Sequence, residues 1–210
     1  MTDISFTQLF SQALQGNLCH IVGIEDRPVP LPVEEWTRDA DEADHALLGL
    51  CRGRTLDIGC GPGRLTLALS AHGEEVLGID IVREAVSMTR SRGGAAMLRD
   101  VFDPRLGDGR WGTALLADGN IGIGGDPIGL LRRAGELITP GGRVVVEVQP
   151  PGAALRTMWA TLQCGDAISR PFRWSIVGVD DIGGVAAQAG LVLTRKEPVG
   201  SRWGVVLQHG

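Results

Sequence analysis

The chain has 210 residues, 43% hydrophobic and 21% charged, a composition that excludes a disordered polymer and allows a substantial core. The net charge is −5 and Arg132–Arg133 is only a local basic pair, which argues against nucleic acid, since phosphate binding draws on clustered Lys and Arg. No apolar run reaches the roughly eighteen residues of a membrane span, and "MTDISFTQLF" lacks a basic-then-apolar leader, so a cytoplasmic protein without a membrane partner is expected.

The first 50 residues read as an N-terminal helical cap. Phe6, Leu9, Phe10 and Leu14 recur at helical spacing in "SFTQLFSQAL" (5–14), and "DEADHALLGLC" (41–51) repeats the pattern more faintly. Between them the proline-rich "DRPVPLPVEEW" reads as extended or irregular. From residue 54 strands and helices alternate. Strands are predicted at 54–59, 75–80, 95–100, 111–118 and 143–148, with helices at 64–73, 82–93 and from Asp126–Pro127 to the "TPGG" of 139–142. "RVVVEV" (143–148) is a β-branched run suited to a sheet covered on both faces. A helix near 179–189 and strands at 191–197 and 203–208 close the chain, the last two as an antiparallel pair.

This order predicts an α/β fold: a three-layer, doubly wound, mainly parallel sheet of seven strands with the last antiparallel. The domain boundary falls near residue 51, and 150–178 reads as an insertion able to cover a substrate. Cys19, Cys51, Cys60 and Cys164 show no CxxC spacing and read as free thiols. The four histidines lack metal-ligand spacing, so no metal is expected.

In a parallel sheet, ligands sit at the carboxyl ends of the strands. There "LDIGCGPGRL" (56–65) places a carboxylate inside a strand and strips side chains from the turn that follows. Glycine lets backbone N–H groups approach a ligand at a helix N-terminus. A dinucleotide site wants a small residue where Arg64 stands; the pattern here is G-x-G-x-G with Asp57 two residues ahead. Arg64 reads as a solvated helix residue.

These residues resemble the first motif of the class I S-adenosylmethionine-dependent methyltransferases. The resemblance implies that Gly59, Cys60, Gly61 and Gly63 pass beside the methionine and ribose of S-adenosylmethionine, and that Asp57 orients the methionyl ammonium. It implies ribose hydroxyls on Asp80 in "GID", the adenine face on Ile81, and adenine recognition by Asp100 and Val101 in "RDVFD". Ala117 and Asp118 in "LLADGN" fall near the transferable methyl, and Asp118 and Asn120 are candidates to orient the acceptor or take its proton. The likeness runs from about residue 50 to 150. "ADGNIGIGGDP" departs from the [N/D]-P-P-[Y/F/W] signature of the base and amide N-methylating members, which counts against nucleic-acid or glutamine acceptors.

The expected activity is methyl transfer (class EC 2.1.1) to an O, N or C atom of a small molecule, with S-adenosylhomocysteine as product, by a monomer or homodimer. A catalytically silent S-adenosylmethionine-binding subunit is the alternative. An NAD(P)-dependent oxidoreductase is disfavoured by Arg64 and Asp57. Trp36, Trp159, Phe172 and Trp174 lie in the segments outside the motifs, where they line an acceptor pocket or pack the insertions. His20 is the one histidine placed to serve as a base.

Overall fold

The computed structural model describes residues 4–210. Ser5 opens helix α1 (Phe6–Leu14) with a capping box: its hydroxyl accepts the Gln8 N–H while the Gln8 side chain takes the Ser5 N–H. Strands β1 (Cys19–Val22) and β2 (Val29–Pro30) follow, then α2 (Val33–Thr37) and α3 (Glu42–Leu48), the last capped by Asp41. The cap is therefore mixed. Its proline-rich stretch, expected to be extended or irregular, carries a short strand and then a helical turn.

Alternating elements come next, broken only between β5 and β6, where a 3-10 turn at Pro104–Leu106 replaces the helix: β3 (Thr55–Ile58), α4 (Arg64–Ala71), β4 (Val76–Asp80), α5 (Arg83–Ser91), β5 (Ala96–Leu98), β6 (Trp111–Leu116), α6 (Pro127–Leu137) and β7 (Ile138–Val148). Helix α6 starts as the sequence indicates, with the Asp126 carboxylate accepting the Gly129 N–H at 2.9 Å. Strand β7 begins at Ile138, earlier than expected, running through "TPGG" to pair Ile138 with Trp111. The chain continues through β8 (Arg156–Cys164), β9 (Ala167–Ile168), β10 (Phe172–Ile176), α7 (Ile182–Gln188), β11 (Leu191–Val199) and β12 (Arg202–His209).

The main sheet has seven strands in the order β11-β12-β7-β6-β3-β4-β5. Strand β12 is antiparallel to both neighbours, and the pairs from β7 to β5 are parallel. Alternation along each strand sorts the core into two layers. Leu56, Ile58, Leu116, Val144 and Val146 meet α6 and α7 through Leu130, Leu131, Ile182 and Val185. Leu115, Ala117, Val145 and Val206 meet α3 and α4 through Leu47, Leu48, Leu65 and Leu69.

A second sheet, β10-β8-β1-β2 with β9 on β8, joins the N-terminal segment to the 150–178 segment. It packs on Leu9 and Ala13 of α1, and α1 in turn rests on Val82 and Ala85 at the start of α5. The register of β1 against β8 sets Cys19 opposite Cys164, with Cα atoms 4.3 Å apart and the sulfurs joined in a disulfide. This corrects the reading of four free thiols; only Cys51 and Cys60 are free. The pairing becomes visible only once two segments 145 residues apart are known to be neighbouring strands.

Candidate functional site

The turn after β3 takes its shape from three glycines in left-handed conformation: Gly59 at φ 76°, Gly61 at 54° and Gly63 at 97°. Other residues adopt such values at a cost. Space is equally tight: a Cβ on Gly63 would lie 2.8 Å from the Thr89 side chain, and one on Gly59 would lie 2.7 Å from the Asn120 amide. Gly61 differs, because nothing stands within 4 Å of where its Cβ would be. There the turn presents bare backbone to open space.

Three side chains hold this turn from behind. Thr89 Oγ1 donates to the Gly61 carbonyl at 2.9 Å. Asn120 Nδ2 donates to the carbonyls of Ile58 and Gly59 at 2.9 and 3.0 Å. The Asp80 carboxylate accepts the N–H of Gly61 at 3.0 Å and of Val82 at 2.8 Å. Burial pushes the Asp80 carboxyl up, opposed by the backbone N–H groups of Val82, Gly61 and Ile81.

Asp57 is 2% exposed and takes a hydrogen bond from Thr66 Oγ1 at 2.7 Å. Its burial pushes it up to about 6; the Thr66 hydrogen bond works the other way, and the charges of Asp118 and Asp80 add to the rise. Cys60 is buried against Gly78, and desolvation raises its thiol, which leaves it a neutral small side chain.

At the next strand ends, Ile81 is exposed, and Arg99 N–H donates to the Asp80 carbonyl at 2.9 Å, drawing the segment after β5 alongside. Asp100 turns its carboxylate back on the Phe102 N–H at 2.9 Å, while Val101 is buried. Ala117 is buried and accepts the Asn120 N–H at 2.9 Å. So the glycine turn, Asp57, Asp80, Ala117 and Asn120 form one connected unit. Asp100 and Val101 adjoin it through Arg99.

A family described as "Methyltransferase domain" matches residues 38–195, more than half of the chain. This chain belongs to the class I S-adenosylmethionine-dependent methyltransferase family.

Solved structures agree in fold. The methyltransferase is similar to an S-adenosylmethionine-dependent methyltransferase from Bacteroides fragilis in complex with S-adenosyl-L-homocysteine, at a TM-score of 0.79 and 20% identity over 97% of this chain and 94% of that one. It is also similar to the CcbJ methyltransferase of Streptomyces caelestis (TM-score 0.63, 18% identity, 83% of this chain and 92% of that one). A third likeness is to the Burkholderia thailandensis 1,6-didemethyltoxoflavin-N1-methyltransferase (TM-score 0.63, 18% identity, 84% and 81%). No curated protein matches the sequence.

The methyltransferase also carries charges that the motifs do not reveal. Arg64 is not solvated: it is 4% exposed. Its Nη2 reaches both oxygens of Asp118 at 2.5 and 2.7 Å, and its Nη1 pairs with Asp44. Asp44, fully buried on α3, also binds Arg202 Nη2 at 2.9 Å and Arg38 Nη1 at 2.8 Å. Arg202 Nη1 meets Glu147 Oε2 at 2.9 Å, and that same oxygen accepts the Asp118 N–H at 3.2 Å.

Strand alternation explains the convergence. Glu147 shares a face with Val145 and Arg202 with Val206, the face that α3 and α4 cover. Burial pushes the Glu147 carboxyl up, and the neighbouring Asp118 adds to it against the pull of Arg202. Two signals in the sequence bear on this network: a lone glutamate inside "VVVEV" and an arginine at the first position of a buried helix. Each asks for a partner, but neither names it.

The second sheet reaches the same place. The Trp174 indole on β10 lies against the turn after β6, where a Cβ on Gly122 would meet its Nε1 and Cε2 at 2.8 Å. His20 faces the other way. It pairs across with Gln163, while its neighbours Cys19 and Ile21 pack toward α1.

Proposed function

We propose that this methyltransferase transfers the methyl group of S-adenosylmethionine to a small-molecule acceptor and leaves S-adenosylhomocysteine. The glycine turn carries the reading: three left-handed glycines bring bare backbone beside a buried carboxylate at Asp57 and a second carboxylate at Asp80. That donor set suits a cofactor with an ammonium and a ribose and no pyrophosphate. The B. fragilis neighbour, of the same fold, holds S-adenosyl-L-homocysteine, and the B. thailandensis neighbour holds 1,6-didemethyltoxoflavin as well.

In this reading Asp57 faces the methionyl ammonium, Asp80 the ribose hydroxyls, and Ile81 the adenine, with Asp100 and the Val101 amide at its edge. Gly59, Cys60, Gly61, Gly63 and Ala117 form the wall along the sulfur. The cofactor supplies an electrophilic methyl on a sulfonium. The chain supplies alignment and exclusion of water. Asn120 acts through the Ile58 and Gly59 carbonyls and keeps the turn in place, while Asp118 faces the acceptor.

In the N-terminal cap at 1–50 the described residues, from 4 on, join the 150–178 segment in covering the crevice of the domain at 51–210 and close it over the acceptor. No helix among the described residues is long and apolar enough to cross a membrane. In the cytoplasm, glutathione would keep Cys19 and Cys164 as facing thiols.

Thermal unfolding with S-adenosylmethionine, S-adenosylhomocysteine, NAD and NADP in parallel tests the cofactor. A ligand at a hundred times its Kd adds about 2.7 kcal/mol, or roughly 5–10 °C for a domain of this size. A shift by the two sulfur compounds alone, abolished in Asp80→Ala, is expected. A shift by NAD and not by them overturns the assignment.

A further inference from the structure

Asp118 and four other charged side chains form a closed circuit. From the Asp118 carboxylate it passes to Arg64, Asp44, Arg202 and Glu147, and it returns to Asp118 through that residue's own N–H. Five separate elements contribute: α3, α4, the end of β6, β7 and β12. Such a circuit fixes both ends of one residue, its carboxylate and its backbone.

The fixed residue is unusual. Asp118 has φ 52°, the sole non-glycine positive φ among the described residues, and strain of this kind persists only where the surroundings impose it. Its carboxylate also looks outward. The Asp118 side chain is 29% exposed, against 4% for Arg64, 0% for Asp44 and 7% for Glu147. Arg64 takes one direction of approach at each Asp118 oxygen and Arg202 Nη1 stands 3.7 Å from Oδ1, which leaves Oδ2 with a lone pair to accept.

Resting on the methyl-transfer reading, we propose that the circuit fixes Asp118 as the hydrogen-bond acceptor for an amine. The methyl acceptor is then a nitrogen nucleophile, and Asp44, Arg64, Glu147 and Arg202 are positioning residues.

Charge and chemistry select nitrogen. A carboxylate or phosphate acceptor would meet the Asp118 carboxylate as a like charge, while Arg64 and Arg202 behind it are already paired with Asp44 and Glu147. A hydroxyl calls for a base before it attacks, a part Asp118 takes only by giving up its ion pair with Arg64; the chain has no tyrosine, and His20 lies on the far face of the second sheet. An ammonium that pairs with Asp118 gives one proton to water, and the amine left carries its lone pair ready and keeps an N–H to give Asp118. The Trp174 indole, on the turn beside Asp118, offers an aromatic wall for such a group. The nitrogen lone pair forms the N–CH3 bond as the C–S bond breaks, sulfur keeps that electron pair, and the product ammonium releases its proton to water.

The test uses the full chain and three matched probes: benzylamine, benzyl alcohol and benzoate. S-adenosylhomocysteine binding is measured first by calorimetry, then each probe is titrated into the loaded protein. Benzylamine alone should bind. Asp118→Asn should weaken it at least about tenfold, the effect of losing a hydrogen bond to a charged group. Arg202→Lys keeps the charge but lacks the fork that joins Asp44 to Glu147; it should weaken benzylamine several-fold and leave S-adenosylhomocysteine affinity within about twofold.

A purely structural circuit would lower the melting point without moving benzylamine against S-adenosylhomocysteine. If Asp118→Asn fails to fold, Arg64→Gln/Asp118→Asn removes both charges together and takes its place. The proposal falls if benzyl alcohol or benzoate binds as well as benzylamine, if benzylamine does not bind the loaded protein, or if its affinity survives loss of the Asp118 charge. Failure to bind S-adenosylhomocysteine at all would instead overturn the cofactor reading, and this proposal with it.

Discussion

Replacing Asp44 by asparagine tests whether the buried circuit is a coupled unit. Asp44 is fully buried and bonded to three arginines, with Arg38 at 2.8 Å, Arg202 at 2.9 Å and Arg64 closer still. Its carboxylate also accepts the Asp41 N–H at 3.1 Å. Asparagine keeps the shape and one acceptor oxygen but leaves Arg64, 4% exposed, with half its counter-charge gone. Removing one partner of a buried pair typically costs 3–5 kcal/mol, and the retained oxygen places Asp44→Asn near the low end, at about 3 kcal/mol. With a urea m-value near 3 kcal/mol/M for a chain of this length, the midpoint should fall by about 1 M with m unchanged.

The pH dependence gives a second reading. Burial pushes the Asp44 carboxyl up, but Arg64, Arg202, the Asp41 N–H and Arg38 together outweigh it and hold it well below the usual carboxylate range. A depressed native value means that the stabilisation is complete above the unfolded pKa of about 3.9 and is lost as the pH falls below it. The gap between wild type and Asp44→Asn should therefore be constant from pH 7 to 5 and about 1 kcal/mol smaller at pH 3. A gap under 1 kcal/mol at pH 7, or one that stays flat to pH 3, would refute the reasoning.

Opening the Cys19–Cys164 link frees a 145-residue loop, worth up to about 5 kcal/mol of chain entropy; Cys19→Ser/Cys164→Ser, or wild type under a phosphine reductant, should melt several degrees lower, and an unchanged calorimetric midpoint would show that the link constrains nothing. Asp57, pushed up to about 6 by burial, is a carboxylate at pH 7 and becomes mostly neutral below pH 6 in the free fold. As pH falls from 7 through 6 to 4, wild type should gain about 2 kcal/mol over Asp57→Asn, while S-adenosylhomocysteine affinity declines over the same range; parallel urea and calorimetric titrations check both, and two flat profiles would remove Asp57 from its place beside the ammonium.

The main sheet was legible in the residues because each of its parts announces itself locally. "RVVVEV", Asp126–Pro127 and the glycine-ended helices need no distant partner to be read. The glycine turn after β3 shares this property, since "LDIGCGPGRL" holds Asp57 and the three left-handed glycines within ten residues. The second sheet does not. Strand β1 is four residues long and means nothing until β8 lies beside it, so Cys19 and Cys164 gave no sign of their pairing. Arg64 shows the same limit in another form. Its sequence position marks a helix start, and only the folded sheet shows that Asp44 and Asp118 arrive to bury it. Side chains whose meaning depends on contacts across the topology stay silent in the chain.

The join between β1 and β8 also sets an order of events during synthesis. The partner of Cys19 leaves the ribosome 145 residues after it, which at about 5–20 residues per second is a wait of roughly 7 to 30 seconds. In that interval β3 to β7 can assemble with α4 to α6, whereas β1 has no neighbour except the short β2. The N-terminal segment thus waits as an unpaired edge beside a forming sheet. Translation speed through residues 20–164 governs how long that edge remains open to other chains.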